Sequence, residues 1–81
     1  MPIPPELTLY FHEWCHLCDD MREALAPLVA AGRLRLREID LEQHPEHAEA
    51  YALRIPVLVG PDGAELCNGR LDHEALRGLL E

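Results

Sequence analysis

Two of the three cysteines in this chain, Cys15 and Cys18, stand three residues apart in a Cys-x-x-Cys. At the start of a helix, two such thiols share a face and lie within reach of a short disulfide. The first sulfur would then sit beside backbone N–H groups that have no partner within the helix, where the dipole favours a thiolate. Cys15 is therefore the expected attacking sulfur. Cys18, one turn deeper, is the expected resolving thiol, which closes on a mixed disulfide and releases the substrate. A protonated His16 would help the thiolate, whereas Glu13, Asp19 and Asp20 oppose a second anion. Activation is expected to be weaker than in a site with a basic flank.

Two other readings compete. Both cysteines could simply be small buried hydrophobes. Alternatively, His12, Cys15, His16 and Cys18 spell H-x-x-C-H-x-C, four potential metal ligands. Helix geometry lets the two cysteines converge but sends His16 elsewhere, and no second Cys-x-x-Cys or paired His follows at a partner spacing. His44 and His47 flank a proline-started helix and read as solvated, so the expected metal set is none. Cys67, far away in sequence, reads as a buried bystander.

The elements that must position the dithiol follow from periodicity. Leu7-Thr8-Leu9-Tyr10-Phe11 is rich in β-formers and follows an irregular, proline-rich stretch over residues 1–6. From Cys15 the period changes, with Leu17, Met21, Ala24, Leu25 and Leu28 forming one helical stripe. Gly32 closes that helix, and Pro27 should kink or interrupt its last turns. Leu34 to Arg37 alternates and runs on as a strand to Ile39. Pro45 suits a first helical residue, with Ala48, Tyr51 and Ala52 as a short apolar stripe. Ile55-Pro56-Val57-Leu58-Val59 suggests a strand buried on both faces. Pro61-Asp62-Gly63 is a turn signal, and Ala64 to Cys67 a hairpin partner. Asp72 can cap a last helix carrying Leu76, Leu79 and Leu80, with Leu71 packing back on Leu76. The order β-α-β-α-β-β-α predicts an α/β fold: a four-stranded mixed sheet flanked by helices, the first strand central. Tyr10 and Phe11 read as core. Trp14, on the loop before Cys15, reads as an exposed apolar wall for a docking partner.

Composition narrows the classes further. Eighty-one residues make one domain, 1–81, with 48% hydrophobic and 27% charged residues, too apolar for disorder. Fifteen acidic residues against seven basic ones give a net charge of −8, the wrong sign for a nucleic-acid binder. All seven basic residues are arginine, which leaves no lysine for Schiff-base chemistry or a phosphate loop. No apolar run approaches the ~18–20 residues of a membrane helix, and the N-terminus lacks the features of a signal peptide. A cytoplasmic monomer is expected. Structural disulfides are uncommon in that reducing compartment, which strengthens the redox reading of Cys15 and Cys18.

Three motifs now stand in order: Trp14-Cys15-His16-Leu17-Cys18 after the first strand, Arg54-Ile55-Pro56-Val57 before the third, and Asn68-Gly69-Arg70-Leu71-Asp72 before the last helix. From about Leu7 to Leu80 the chain resembles the glutaredoxin-like proteins of the thioredoxin superfamily, and among them the small bacterial glutaredoxin-like proteins. The resemblance implies a thioredoxin-like fold with a cis Ile55–Pro56 bond facing the dithiol. It implies that Ile55 pairs with the backbone of a glutathione-like or protein substrate, and that Gly69 to Asp72 hold the γ-glutamyl end of glutathione. The chain departs from glutaredoxins at three places. His12 stands where they commonly carry a lysine, His16-Leu17 where they carry Pro-Tyr or Pro-Phe, and Arg54 where they carry threonine. Glutathione is anionic, so a chain of net charge −8 offers it a poor long-range field, which Arg54 and Arg70 would offset locally.

The expected activity is thiol–disulfide exchange on a disulfide-bearing protein or glutathione, with no organic cofactor and with electrons from glutathione or a reductase. Substrate contacts are expected from His12, Trp14, Arg54, Ile55, Pro56, Gly69, Arg70, Leu71 and Asp72. The alternatives are a redox-sensing, protein-binding adaptor with little catalysis and, behind it, a metal or iron–sulfur carrier.

Overall fold

The computed structural model describes residues 3–81, so Met1 and Pro2 of the irregular N-terminal stretch lie outside the described residues. Strands β1 (Glu6–Phe11), β2 (Arg35–Asp40), β3 (Val57–Val59) and β4 (Glu65–Asn68) alternate with helices α1 (His16–Ala30), α2 (Pro45–Tyr51) and α3 (His73–Leu80), in the expected order β-α-β-α-β-β-α. The sheet order is β2-β1-β3-β4, which makes β1 central. β1 runs parallel to β2 from Glu6↔Arg35 to Phe11↔Asp40 and antiparallel to β3 from Thr8↔Val59 to Tyr10↔Val57. β3 and β4 form an antiparallel hairpin with an irregularity between Leu58 and Val59. This is a thioredoxin-like fold. Among the described residues no helix is long and apolar enough to cross a membrane.

The period-two alternation of β1 and β3 divides the core between the two faces of the sheet. Leu7, Leu9 and Leu58 join Met21 and Leu25 of α1, Leu34, and Leu76 of α3 on one face. Tyr10, Val57 and Val59 join Ile39 and Leu41 on the other, where Tyr51 and Ala52 at the end of α2 pack against them. Val57 and Leu58 are fully buried on opposite sides, as a strand apolar at every position requires. The strand is shorter than the apolar run because Pro56 has no N–H to give the ladder. β1 in turn starts at Glu6, one residue inside the stretch read as irregular.

Local chemistry sets the helix ends. At the end of α1 the Gly32 N–H donates to the Val29 carbonyl and the Arg33 N–H to the Leu28 carbonyl. These are the two bonds of a Schellman closure, and they need the positive φ of 73° that Gly32 adopts. The Asp72 carboxylate accepts the N–H groups of Glu74 and Ala75, both at 3.1 Å, and so starts α3. Pro27 does not interrupt α1, which continues to Ala30. Pro27 and Glu23 lie on the exposed side, where water can take the carbonyl that the missing donor releases.

The apolar stripe of α1 also differs from the expected one. Cys18, Met21 and Leu25 are its buried residues, whereas Leu17 and Ala24 are exposed. Packing is anchored on the second cysteine rather than on the leucine before it. Leu58 touches the core from the middle of β3, so Leu58→Ala should cost about 2–5 kcal/mol. That loss is measurable as a lower urea midpoint with an unchanged denaturant slope.

Candidate active site

β1 ends at Phe11, and four residues, His12 to Cys15, carry the chain into α1. The turn is made at Trp14, whose φ of 63° lies in the left-handed region that side chains seldom occupy. Such a conformation costs about 1–2 kcal/mol at a non-glycine residue. Trp14 gains no burial in return, for its side chain is 97% exposed. Cys15 follows as the N-cap of α1, with extended backbone angles. Its carbonyl accepts the Asp19 N–H at 3.0 Å, the first bond of the helix. Its Sγ accepts the Cys18 N–H at 3.1 Å. The sulfur thus takes the place of the oxygen that usually caps a helix.

Cys15 and Cys18 are joined as a disulfide, with Cα atoms 5.2 Å apart. Their surroundings differ sharply. Cys18 is fully buried among the core residues of α1, while Cys15 remains partly exposed. Of the pair, only the first residue is open to solvent.

Two grooves flank this turn. Phe11, His12, Glu13 and Trp14 face Asp19 and Arg22 around an open groove of about 460 Å³. The Arg22 guanidinium lies 4.8 Å from the Phe11 ring centroid and pairs with both Asp19, at 3.0 Å, and Glu38. Nδ1 of His12 is buried and has no hydrogen-bond partner among the described residues. On the other side Leu17, Asp20 and Met21 face Gly69, Arg70 and Leu71 across a groove of about 230 Å³. The register Tyr10↔Val57 sets Ile55 and Pro56 beside the end of β1 from which the dithiol loop leaves. The Ile55–Pro56 bond is cis, and the Pro56 carbonyl accepts the Gly69 N–H at 2.9 Å, which ties these two loops together. Among the described residues, no three His, Cys, Asp or Glu side chains converge in a way that could hold a metal ion.

The glutaredoxin-like domain model (DUF836) matches residues 6–81, nearly the whole chain. The chain belongs to this family. Among solved structures, a Nitrosomonas europaea protein determined by solution NMR is 29% identical, with a TM-score of 0.86 over 100% of this chain and 96% of that one. An X. campestris protein determined by X-ray crystallography is 39% identical, with a TM-score of 0.71 over 91% and 93% of the two chains. A mutant thioredoxin from Halobacterium salinarum is 27% identical, with a TM-score of 0.69 over 95% and 72%. Comparison with curated proteins gives no match. Family, fold and the Cys15–Cys18 pair together support a redox-type function.

Within this glutaredoxin-like domain the candidate substrate residues fall into distinct places. His12 and Trp14 share the first groove, and Gly69, Arg70 and Leu71 line the second. Ile55 and Pro56 lie beside the end of β1 and line neither groove. Arg54 is engaged elsewhere: its guanidinium pairs with Glu65, donates to the Ala50 carbonyl at 2.8 Å and lies over the Tyr51 ring. The Asp72 carboxylate is occupied by its helix cap. Phe11 and Leu17, both read as core, instead line the two grooves, Leu17 with 45% exposure. The missed signal was the second cysteine: once Cys18 faces inward with Met21 and Leu25, its neighbour is turned outward. Arg22 was missed as well, because its partner Glu38 is sixteen residues away. His47, read as solvated, is half-buried with its ring 5.2 Å from that of Tyr10.

Cys67 lies half-buried in β4, and burial pushes its thiol pKa up, with Asp72 and Glu65 adding to the rise against a backbone hydrogen bond that lowers it. Burial also raises the Tyr10 phenol pKa, helped by Tyr51. Both groups resist ionising in the folded chain, so the unfolded chain gives up these protons first as pH rises. The stability they contribute is complete below the unfolded thiol value and is lost as pH climbs through the folded values. With the Cys15–Cys18 disulfide intact, the urea midpoint should fall above about pH 8.5–9. Cys67→Ala should remove the first part of that fall and leave the later, tyrosine part.

Proposed function

We propose that this domain is a thiol–disulfide oxidoreductase in which Cys15 attacks and Cys18 resolves. The observation that carries the reading is the asymmetry of the pair, a partly exposed Cys15 Sγ at the helix N-terminus and a fully buried Cys18 joined to it. In the reduced protein the Cys15 thiolate takes the same backbone N–H as a charge-assisted hydrogen bond, which favours the anion over the thiol. That thiolate attacks one sulfur of the substrate disulfide, forms a mixed disulfide and expels the other sulfur as a thiolate. Cys18 gives its proton to the thiolate just expelled, attacks the Cys15 sulfur, restores the disulfide and expels the second thiolate. Two electrons pass to the substrate, and water protonates the second thiolate.

The remaining roles follow from position. Ile55 beside cis Pro56 offers backbone to an extended substrate at the edge where Cys15 emerges. His12 and Trp14 on one side, and Gly69, Arg70 and Leu71 on the other, border the path of approach; Asp72 holds the last of these loops through its cap. The substrate is a protein disulfide or a glutathione disulfide, and glutathione or a reductase returns the electrons. No organic cofactor takes part, and the protein acts as a cytoplasmic monomer. The full exposure of Trp14 favours a second reading, a docking adaptor whose dithiol senses redox state. Activity in either hydroxyethyl-disulfide reduction by glutathione or insulin reduction with a thioredoxin system supports catalysis, and silence in both supports the adaptor.

Substitution tests the assignment of roles. Cys15→Ser should abolish disulfide reduction in either assay. Cys18→Ser should accumulate mixed disulfides, visible by intact mass, or retain only glutathione-dependent turnover. Unchanged turnover in Cys15→Ser would show that the nucleophile is wrongly assigned.

A further inference from the structure

The groove beside Cys15 is lined by aromatic and acidic side chains. Phe11 and Trp14 supply the rings, and Glu13 and Asp19 the carboxylates. Among the described residues Arg22 is the one guanidinium lining this groove, and Asp19 and Glu38 already hold it. Beyond the sulfurs, Asp20 faces Arg70 across the second groove. Among the described residues, neither Glu13 nor Asp20 has an ion pair or side-chain hydrogen bond. Three carboxylates, of Glu13, Asp19 and Asp20, therefore line the two grooves beside the dithiol turn against the two guanidiniums of Arg22 and Arg70, in a chain whose net charge is −8. An anionic disulfide approaches this surface against the field, and a cationic one with it. The fully exposed Trp14 ring adds a face on which a guanidinium or ammonium can rest.

We propose that the dithiol serves disulfides in polypeptide segments flanked by arginine or lysine, and that the groove of Phe11, Glu13, Trp14 and Asp19 receives the cationic flank. This rests on the thiol–disulfide reading of the same site and names its substrate class. The exchange is the one written above: Cys15 forms a bond to one substrate sulfur, Cys18 then closes on Cys15, and both substrate sulfurs leave as thiolates with two electrons gained. In a single turnover the reduced dithiol is the sole reductant. The cationic flank is not consumed. It raises the encounter rate and orients the disulfide against the partly exposed sulfur of the pair.

The test uses three disulfide-linked peptide dimers of equal length, with arginine, glutamine or glutamate beside the cystine. Protein reduced and freed of reductant is mixed with each, and each rate is divided by that peptide's rate with dithiothreitol, which removes differences between leaving thiols. At low salt the arginine peptide should react roughly tenfold faster than the glutamate peptide, with glutamine between them. Screening at about 0.5 M salt should shrink the ratio to about twofold or less. Glu13→Gln combined with Asp20→Asn should lower the ratio at least about threefold at low salt. The ratio compares two substrates on one thiolate, so a changed sulfur reactivity cancels from it. Equal corrected rates, a faster glutamate peptide, or a ratio unmoved by the double substitution would overturn the proposal.

A binding measurement separates this inference from the redox reading. Trp14 is the one tryptophan in the chain, so its emission reports the groove directly. In Cys15→Ser protein, serine versions of the arginine peptide should shift that emission at about tenfold lower concentration than the glutamate version. If no peptide disulfide is reduced but this preference is present, the redox reading fails and the cationic docking surface stands. If disulfides are reduced without any such preference, the docking surface fails and the redox reading stands.

Discussion

One contact organises this molecule: a backbone N–H at the start of α1 donating to the Sγ of Cys15. A helix leaves its first N–H groups without partners, and serine, threonine, aspartate or asparagine usually supplies the acceptor. Here sulfur does. The consequence is chemical as well as structural, because the group that starts the helix is also one of the two sulfurs of the redox-type pair. Everything upstream serves that placement. β1 is central, its end opens onto the edge of the sheet where ligands of α/β folds gather, and the left-handed turn at Trp14 aims the chain so that Cys15 becomes the cap.

The packing then makes the two sulfurs unequal. Cys18 lies on the stripe of α1 that meets Leu7, Leu9 and Leu58, and is sealed. Cys15, at the cap, precedes that stripe and stays open. A small core thus does two things at once, since the burial that stabilises α1 also decides which sulfur a partner can reach. The charges around the turn act in the other sense. Glu13, Asp19 and Asp20 bring negative charge near the Cys15 sulfur, and the Arg22 guanidinium is shared between two carboxylates.

Much of this was readable from residue order. The strand around Val57 to Val59 announced itself by being apolar at every position, and Gly32 and Asp72 marked helix ends because each supplies a conformation or an acceptor that few residues can. The Cys-x-x-Cys placed itself by standing between a strand pattern and a helix pattern. The readings that changed share a cause. Pro27 was read from its local penalty, yet on an exposed side the lost bond is left to water. Leu17 was read from its hydrophobicity, yet the helix was already oriented by Cys18. Arg54 was read as free to meet a carboxylate, and the hairpin brings Glu65 to it. In each case a partner distant in sequence, or the solvent, decided the outcome, and local pattern does not carry that information.

The account stands on the claim that the end of α1 holds Cys15 as an anion despite its acidic neighbours. The direct measurement is the ultraviolet absorbance of thiolate against pH in the reduced protein, with Cys15→Ser as the reference. Cys67 does not obscure it, because burial moves that thiol upward. The account predicts a titration step well below the free-thiol value of about 8.5, absent in Cys15→Ser. A step at or above that value would contradict it.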